Sequence, residues 1–436
     1  MLRQRRTGVI ILAIISLFGG LATGRDLFFN ITYLLGILLV LSFAWAWSNI
    51  NWLHLSRVTR NRRTQVGRPL EERFQVRNTS IIPKLWLEVR DHSSLPGHYT
   101  SRVVNALGSK ARFSWRTTTF CRLRGRYRLG PLQISTSDPF GLFPLSKSFE
   151  ATTHVVVYPL TVDVHGFSLP LGVLPGGDAL RRRTHYVTTN AAGVREYAPG
   201  DSYGRIHWPS SARRDRLIVK DFELDPLSDI WIVADMNQSD HFTGKVEQKS
   251  ESPASWLDDP FERIQSNKEY SLPESTEEYT VTAAASLAQY FLRVDRAVGM
   301  IAYGQTHELM QPDRGERQLN RILETLAVIR AQGNVPIEDV IEAESPHFPR
   351  GGTLIIVTPS TREVIVKGVQ LLNRRGLRIV SILVDPESFG GSRSAEHVVS
   401  LMQGANQLSY IVKSGDDLTE ALSRPATMTK SRMSYR

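Results

Sequence analysis

The stretch "DIWIVADMNQS" (Asp229–Ser239) begins apolar and ends polar. Ile230 to Ala234 form an unbroken apolar run, too short for a helix, which predicts a strand buried on both faces. Asp235, Asn237 and Ser239 follow at alternate positions. The same kind of run recurs downstream, always separated by helical spacing. "TVTAAASLAQYFLRV" (280–294) predicts a helix, "AVGMIAY" (297–303) a strand and "ERQLNRILETLAVIRA" (316–331) a helix. "GTLIIVTP", "RIVSILVD" and "LSYIVK" predict further strands, with helices in "REVIVKGVQLLNRRG" and "SAEHVVSLMQGA". Continuous apolar strands alternating with helices imply a parallel sheet covered on both faces, with ligands gathering at the carboxyl ends of its strands. Residues 229–424 therefore read as an α/β, Rossmann-like domain. Residues 241–278 interrupt it with a segment rich in Ser, Glu, Lys and Pro, expected to be a mobile insertion. Residues 425–436 form a basic tail, expected to be disordered.

Upstream, residues 55–160 change period. "LEERFQVRN" and "KLWLEVRD" alternate apolar and polar residues, and similar short runs follow as far as "HVVVYPL". Period-2 runs broken by turn residues predict an all-β sandwich. Arg122, Arg124, Arg126 and Arg128 alternate, which predicts a solvated strand face, with an anion-binding stripe as the functional rival.

Residues 1–54 hold two long uncharged runs, Gly8–Thr23 and Leu27–Trp47, separated by Arg25-Asp26. Both suit a bilayer core of roughly 30 Å, the first near the lower limit, so the segment reads as a transmembrane hairpin. A cleaved signal peptide is the rival reading of the first run. Arg3, Arg5 and Arg6 precede the hairpin, and Arg57, Arg60, Arg62 and Arg63 follow it. That bias puts both flanks, and everything after them, on the cytoplasmic side of the cell membrane. The net charge of +10 then has a juxtamembrane explanation. Cys121 is the one cysteine, which excludes an intrachain disulfide and suits a reducing compartment.

Between the β-rich and α/β regions, residues 161–228 carry "REYAPGDSYGRIHWPSSARRDRL" (Arg195–Leu217). Pro199-Gly200-Asp201 predicts a turn and "RLIVKDFEL" an edge strand. As a hydrolase site the stretch offers Asp201, His207 and Ser210 or Ser211, without a G-x-S-x-G elbow. As a nucleic-acid site it offers Trp208 and several arginines, without a recognised motif, so nucleic acid is not the expected partner. As a docking surface it offers Arg, Tyr and Trp anchors: Arg195, Tyr197, Trp208 and Arg213. As a structural buckle it offers Asp201 pairing with Arg205 or Arg213, and Trp208 packed on the sheet. A buckle with a docking face is the expectation.

"RGRYRLGPLQISTSDPFGLF" (Arg124–Phe143), "VVVYP" and the Arg195–Glu223 stretch together resemble the bacterial domain-of-unknown-function 58 family. The positions carrying the resemblance in the last stretch include Arg195, Tyr197, Gly200, Asp201, Trp208, Ser211 and Arg213. The resemblance implies a membrane hairpin, a β-rich region and a C-terminal domain similar to von Willebrand factor type A. It also implies company: MoxR-type AAA+ ATPases and transglutaminase-like membrane proteins. A type A domain places a D-x-S-x-S loop for Mg²⁺ where this chain has Asp235, Asn237 and Ser239, and the Asn237 amide oxygen can replace the middle hydroxyl. The remaining ligand positions fall at Val335 and at Pro359-Ser360, so the implied Mg²⁺ site is partial. The rival for Asp235 and Ser239 is local bonding to backbone groups. The function expected is a membrane-anchored, cytoplasm-facing, non-enzymatic scaffold that recruits a MoxR-type ATPase in envelope maintenance. A metal-dependent or Ser/His hydrolase at the membrane surface is the alternative.

Overall fold

The computed structural model describes residues 2–167, 193–197, 206–221, 229–244 and 271–425. The chain divides into two compact units. The first comprises 1–160, 248–272 and 323–329; the second comprises 161–247, 273–322 and 330–436.

In the first unit, α1 (Leu2–Thr23) and α2 (Asp26–Ile50) form an antiparallel hairpin, and both helices are long and apolar enough to cross a membrane. Gly19 and Gly20 let them approach: a Cβ on either would stand 3.2 Å from the ring of Phe28 or Phe29. Ten strands follow: β1 (Leu53–Thr59), β2 (Arg63–Gln65), β3 (Pro69–Asn78), β4 (Lys84–Asp91), β5 (Arg102–Leu107), β6 (Arg112–Phe120), β7 (Gly125–Leu129), β8 (Leu132–Thr136), β9 (Leu145–Phe149) and β10 (Thr153–Tyr158). They make sheets of order β1-β3-β6, β2-β10-β7 and β5-β4-β8-β9. β3 alternates buried and exposed residues along its length, as period-2 patterning requires. Phe74, Val76 and Trp115 from the first sheet share one core with Leu87, Val89, Leu132 and Ile134 from the four-stranded sheet. The arginine alternation does not lie on one strand face. β7 starts only at Gly125, and Arg124 is fully buried, donating to the carbonyls of Leu326 (3.0 Å) and Ile329 (2.8 Å) within this unit.

The second unit opens with a two-stranded antiparallel ribbon, β11 (Gly193–Glu196) and β12 (Ile218–Asp221), bracketing the short helix α3 (Trp208–Arg214). Then come β13 (Ile230–Ala234), α4 (Thr276–Arg293), β14 (Val298–Tyr303), β15 (His307–Asp313), α5 (Gly315–Val328), α6 (Ile337–Glu344), β16 (Thr353–Thr358), α7 (Val364–Arg374), β17 (Arg378–Val384), α8 (Glu396–Gly404), β18 (Leu408–Val412) and α9 (Leu418–Ser423). α5 runs from the second unit into the 323–329 segment of the first. The sheet order is β15-β14-β13-β16-β17-β18. All neighbours are parallel except β14–β15, so the sheet is mixed where a parallel one was expected. The missed strand, "HELMQPD", has one buried residue, Met310, and so lacks the apolar run that marks a central strand. β13 and β16 are buried at every position. The order reverses between them, which opens the crevice where open α/β sheets hold their ligands.

Candidate functional site at the sheet switch point

Asp235 follows β13 directly and Thr358 ends β16. Their side chains meet across the switch point, with Thr358 Oγ1 2.6 Å from Asp235 Oδ2. The other Asp235 oxygen accepts the Asn237 backbone N–H at 2.9 Å. His241 Nε2 donates to the Asp235 carbonyl at 2.9 Å, and its Nδ1 lies 3.1 Å from Thr276 Oγ1. Burial pushes the Asp235 carboxyl up to about 7, with Asp240 adding to the rise; Thr358, the Asn237 amide and Arg362 pull the other way.

Asn237 and Ser239 lie beside Asp235, but their polar groups are aimed at one another and at Asp240. Asn237 Nδ2 donates to Ser239 Oγ (2.8 Å) and Asp240 Oδ2 (2.9 Å), and Ser239 Oγ donates to Asp240 Oδ1 (3.4 Å). Arg362 closes the group: its guanidinium pairs with Asp240 and stands 3.1 Å from Glu338. It also donates through Nε to Ser360 Oγ at 3.3 Å. The loop from α5 is held against Asn237 by Gly333. Its N–H reaches Met236 O (2.9 Å), its carbonyl accepts from Gln238 (2.7 Å), and a Cβ there would stand 2.1 Å from Tyr303 O. Ser360, one of the two positions flagged after β16, is buried here, and Val335 packs against the apolar core. Sequence reasoning missed Asp240, Thr358, Arg362 and His241. A basic residue two positions beyond Ser360 was the available signal for Arg362.

The family-like segment forms a clip. Ser211, buried on the inner face of α3, accepts the Ile218 N–H (2.9 Å) and donates to the Ile218 carbonyl (3.3 Å). Tyr197 N donates to Leu217 O at 2.9 Å, and Ile206 bridges Val219. Trp208 does not pack on the sheet: it heads α3 and is 65 % exposed, while Arg213 and Arg214 are exposed in the last turn. Pro209 fixes the start of the helix, and Trp208 stands at its first position, clear of the strands. His207 Nδ1 and Ser210 Oγ lie 2.7 Å apart within that first turn, where Ser210 N also donates to the His207 carbonyl. Gly200, Asp201, Arg205 and the Arg195 side chain lie outside the described residues, as do residues 245–270 of the insertion and the tail from 426.

A second polar cluster, also missed, is buried in the first unit. Arg57 pairs with Asp91 and with Glu72 (3.3 Å), and His98 Nε2 lies 2.8 Å from Asp91 and 3.2 Å from Glu72. Glu72, Asp91 and His98 have metal-ligand spacing. Asp91 Oδ2, however, already accepts from Arg57, His98 and Thr100, and the guanidinium supplies the cation. These bonds hold the Asp91 carboxyl below its usual range despite burial, whereas burial raises Glu72. Arg57 is therefore a core ion-pair partner and not a headgroup-facing charge. Arg60 and Arg63 pair with Glu71 (3.4 Å) and Glu324 (2.6 Å). Cys121 is buried too, and burial pushes its thiol up to about 12.

The family model "Protein of unknown function DUF58" matches residues 193–256, which takes in the clip and the Asp235 loop. The uncharacterized protein YeaD of Bacillus subtilis (strain 168) is 21 % identical over 247 residues, 56 % of this chain and 52 % of that protein, so the match spans about half the relative's length. Among solved structures, the CARDB domain of the PF1109 protein from Pyrococcus furiosus aligns with 24 % of this chain and 91 % of its own, at 19 % identity and a TM-score of 0.19. Proximal thread matrix protein 1 from the mussel byssus aligns with 45 % of this chain and 46 % of its own, at 11 % identity and a TM-score of 0.29.

Proposed function

We propose that this chain is a membrane-anchored docking protein of the DUF58 type, without catalytic chemistry of its own. In this reading its two apolar helices span the cell membrane, its arginine-rich N-terminal flank keeps the rest on the cytoplasmic side, and its strands form a sandwich and a von Willebrand type A-like domain. The sheet order supports the last point, because a reversal beside the first strand is the mark of doubly wound folds. One observation carries the docking reading: α3 is clipped down by Ser211 yet turns Trp208 outward. A large aromatic beside exposed arginines is the composition of an interface anchor. The partner we propose is a MoxR-type AAA+ ATPase, with a transglutaminase-like membrane protein as its companion, acting in envelope maintenance.

At the switch point, the donor set does not fit Mg²⁺ in our reading. Both Asp235 oxygens are engaged and its carboxyl resists ionisation, while Arg362 already neutralises Asp240. The guanidinium then does for this loop what an ion does in a metal-dependent adhesion site: it cancels the acidic charge. The hydrolase reading rests on the His207–Ser210 contact, which is local to one helical turn; Asp201, its proposed third group, lies outside the described residues.

The test is direct binding of a purified MoxR-type ATPase from the same source to the full chain in nanodiscs. Trp208→Ala should weaken binding at least tenfold and leave the melting temperature unchanged, and binding should survive chelation of free Mg²⁺ when nucleotide is absent. Unaltered affinity in Trp208→Ala would sink the docking face.

A further inference from the structure

Helix α2 does not simply lead into the β strands; it is fastened to them. Asn49 exchanges two bonds with the Leu85 backbone, donating to its carbonyl at 3.0 Å and accepting its N–H at 3.3 Å. Lys84 is buried, donates to the Ser48 carbonyl and lies 5.2 Å from the Trp52 ring. Ser48 O is one of the last carbonyls that a helix cannot pair internally, and a cation there also suits the helix dipole. Thr79 donates to the Trp52 carbonyl through both N (2.9 Å) and Oγ1 (2.8 Å). Phe143 meets Phe43 edge-on at 5.6 Å, and the Arg6 guanidinium lies 5.7 Å from the Phe143 ring. Phe43 sits well inside the end of α2, about 10 Å along its axis at 1.5 Å per residue. The 138–143 turn therefore climbs the helix. Asp138 stiffens that turn by accepting the N–H groups of Phe140 (3.0 Å) and Phe143 (2.7 Å).

Apolar side chains around this joint are exposed among the described residues: Ile81 is 77 % exposed, Ile82 53 %, Trp86 on β4 69 % and Phe140 58 %. Trp86 also has φ 56°, a costly conformation for a bulky residue, taken with the ring turned outward. We infer that the loop 80–83, Trp86 at the start of β4 and the turn 138–143 seat in the headgroup–acyl boundary of the bilayer and make the first unit a membrane-resting module; this rests on reading α1 and α2 as membrane spans. Continuity argues for lipid as the occupant. The loops flank the end of a span, one reaches up alongside it, Trp and Phe favour that depth, and Arg6 stands at the same level to meet phosphate.

The experiment places nitroxide labels in the full chain, in phosphatidylcholine–phosphatidylglycerol nanodiscs and a Cys121→Ala background. Labels go at Ile81→Cys, Ile82→Cys and Phe140→Cys, with Leu34→Cys as the span control and Val58→Cys as the water control. Oxygen accessibility should exceed that of a water-soluble nickel chelate at 81, 82 and 140, as at 34, and the ratio should invert at 58. Water-like ratios at 81, 82 and 140 with a lipid-like ratio at 34 would overturn this inference alone. A water-like ratio at 34 would overturn the membrane reading and the inference with it. Should the labels disturb folding, Trp86→Phe serves instead. It should lower the fraction of tryptophan emission quenched by lipids brominated near the headgroup, and an unchanged fraction would refute the seating.

Discussion

Asp235→Asn replaces a buried carboxyl by the closest analogue of its protonated form. The Asn oxygen can accept the Asn237 N–H, and its amide can donate to Thr358 Oγ1, which already accepts the Ser360 N–H at 2.9 Å. The consequence is set by the sign of the shift. The folded state holds the Asp235 proton up to about 7, whereas an unfolded aspartate releases it near 3.9. Between those values the folded chain binds more protons than the unfolded one, so stability falls as pH rises from about 4 to about 7 and levels off above. The gap makes the wild type less stable than the variant by about 4 kcal/mol at pH 8, by about half of that at pH 5.5 and by little at pH 4. Urea unfolding of the full chain and the variant in the same micelles, at matched pH values, reads the difference directly. Every other titrating group cancels in that subtraction. A variant less stable than the wild type at pH 8, or a difference flat with pH, would mean that Asp235 is ionised in the fold and that the switch point is a charged site after all.

Other changes test the neighbouring claims. Ser211→Ala deprives the buried Ile218 N–H of its partner and should cost about 1–3 kcal/mol, seen as faster proteolysis at the clip; an unchanged cleavage rate would dismiss the clip. Arg362→Gln leaves Asp240 and Glu338 without their counter-cation, so the variant should gain saturable Mn²⁺ binding at millimolar metal, where the wild type shows none by calorimetry. Saturable binding by the wild type, lost in Asp240→Ala, would show instead that the guanidinium yields to the ion.

What the sequence made legible was set by patterning. The apolar runs at Ile230–Ala234 and Thr353–Thr358 announce strands buried at every position, and the two long uncharged runs announce the N-terminal helices. The antiparallel edge strand His307–Asp313 escaped because an edge needs only one buried face. At the switch point, Asp235 was legible as the polar residue ending an apolar strand. Its partners were not, because Thr358 and Arg362 are brought to it by sheet order, and sheet order is not written in local periodicity. Trp208 was expected against the sheet on hydrophobicity alone. An aromatic at the first position of a seven-residue helix can stand clear of the strands, and hydrophobicity does not say whether it is covered.

The same limit explains the misreading of charge. Arg57, Arg124 and Arg362 look like surface arginines in the sequence, and each is held by buried or half-buried acceptors: Asp91 and Glu72, the carbonyls of Leu326 and Ile329, and Asp240 with Glu338. A guanidinium suits these places because it stays charged when desolvated and its planar fork satisfies several oxygens at once. A lysine in such a place tends to lose its charge, and burial does lower the Lys84 ammonium below its usual value. These ion pairs leave the +10 balance as it is, because both partners of each pair are already counted in it; what they change is which arginines stand at the surface. This favours anchoring the docking reading in one oriented aromatic, Trp208, with the exposed Arg213 and Arg214 beside it, over any argument from net charge.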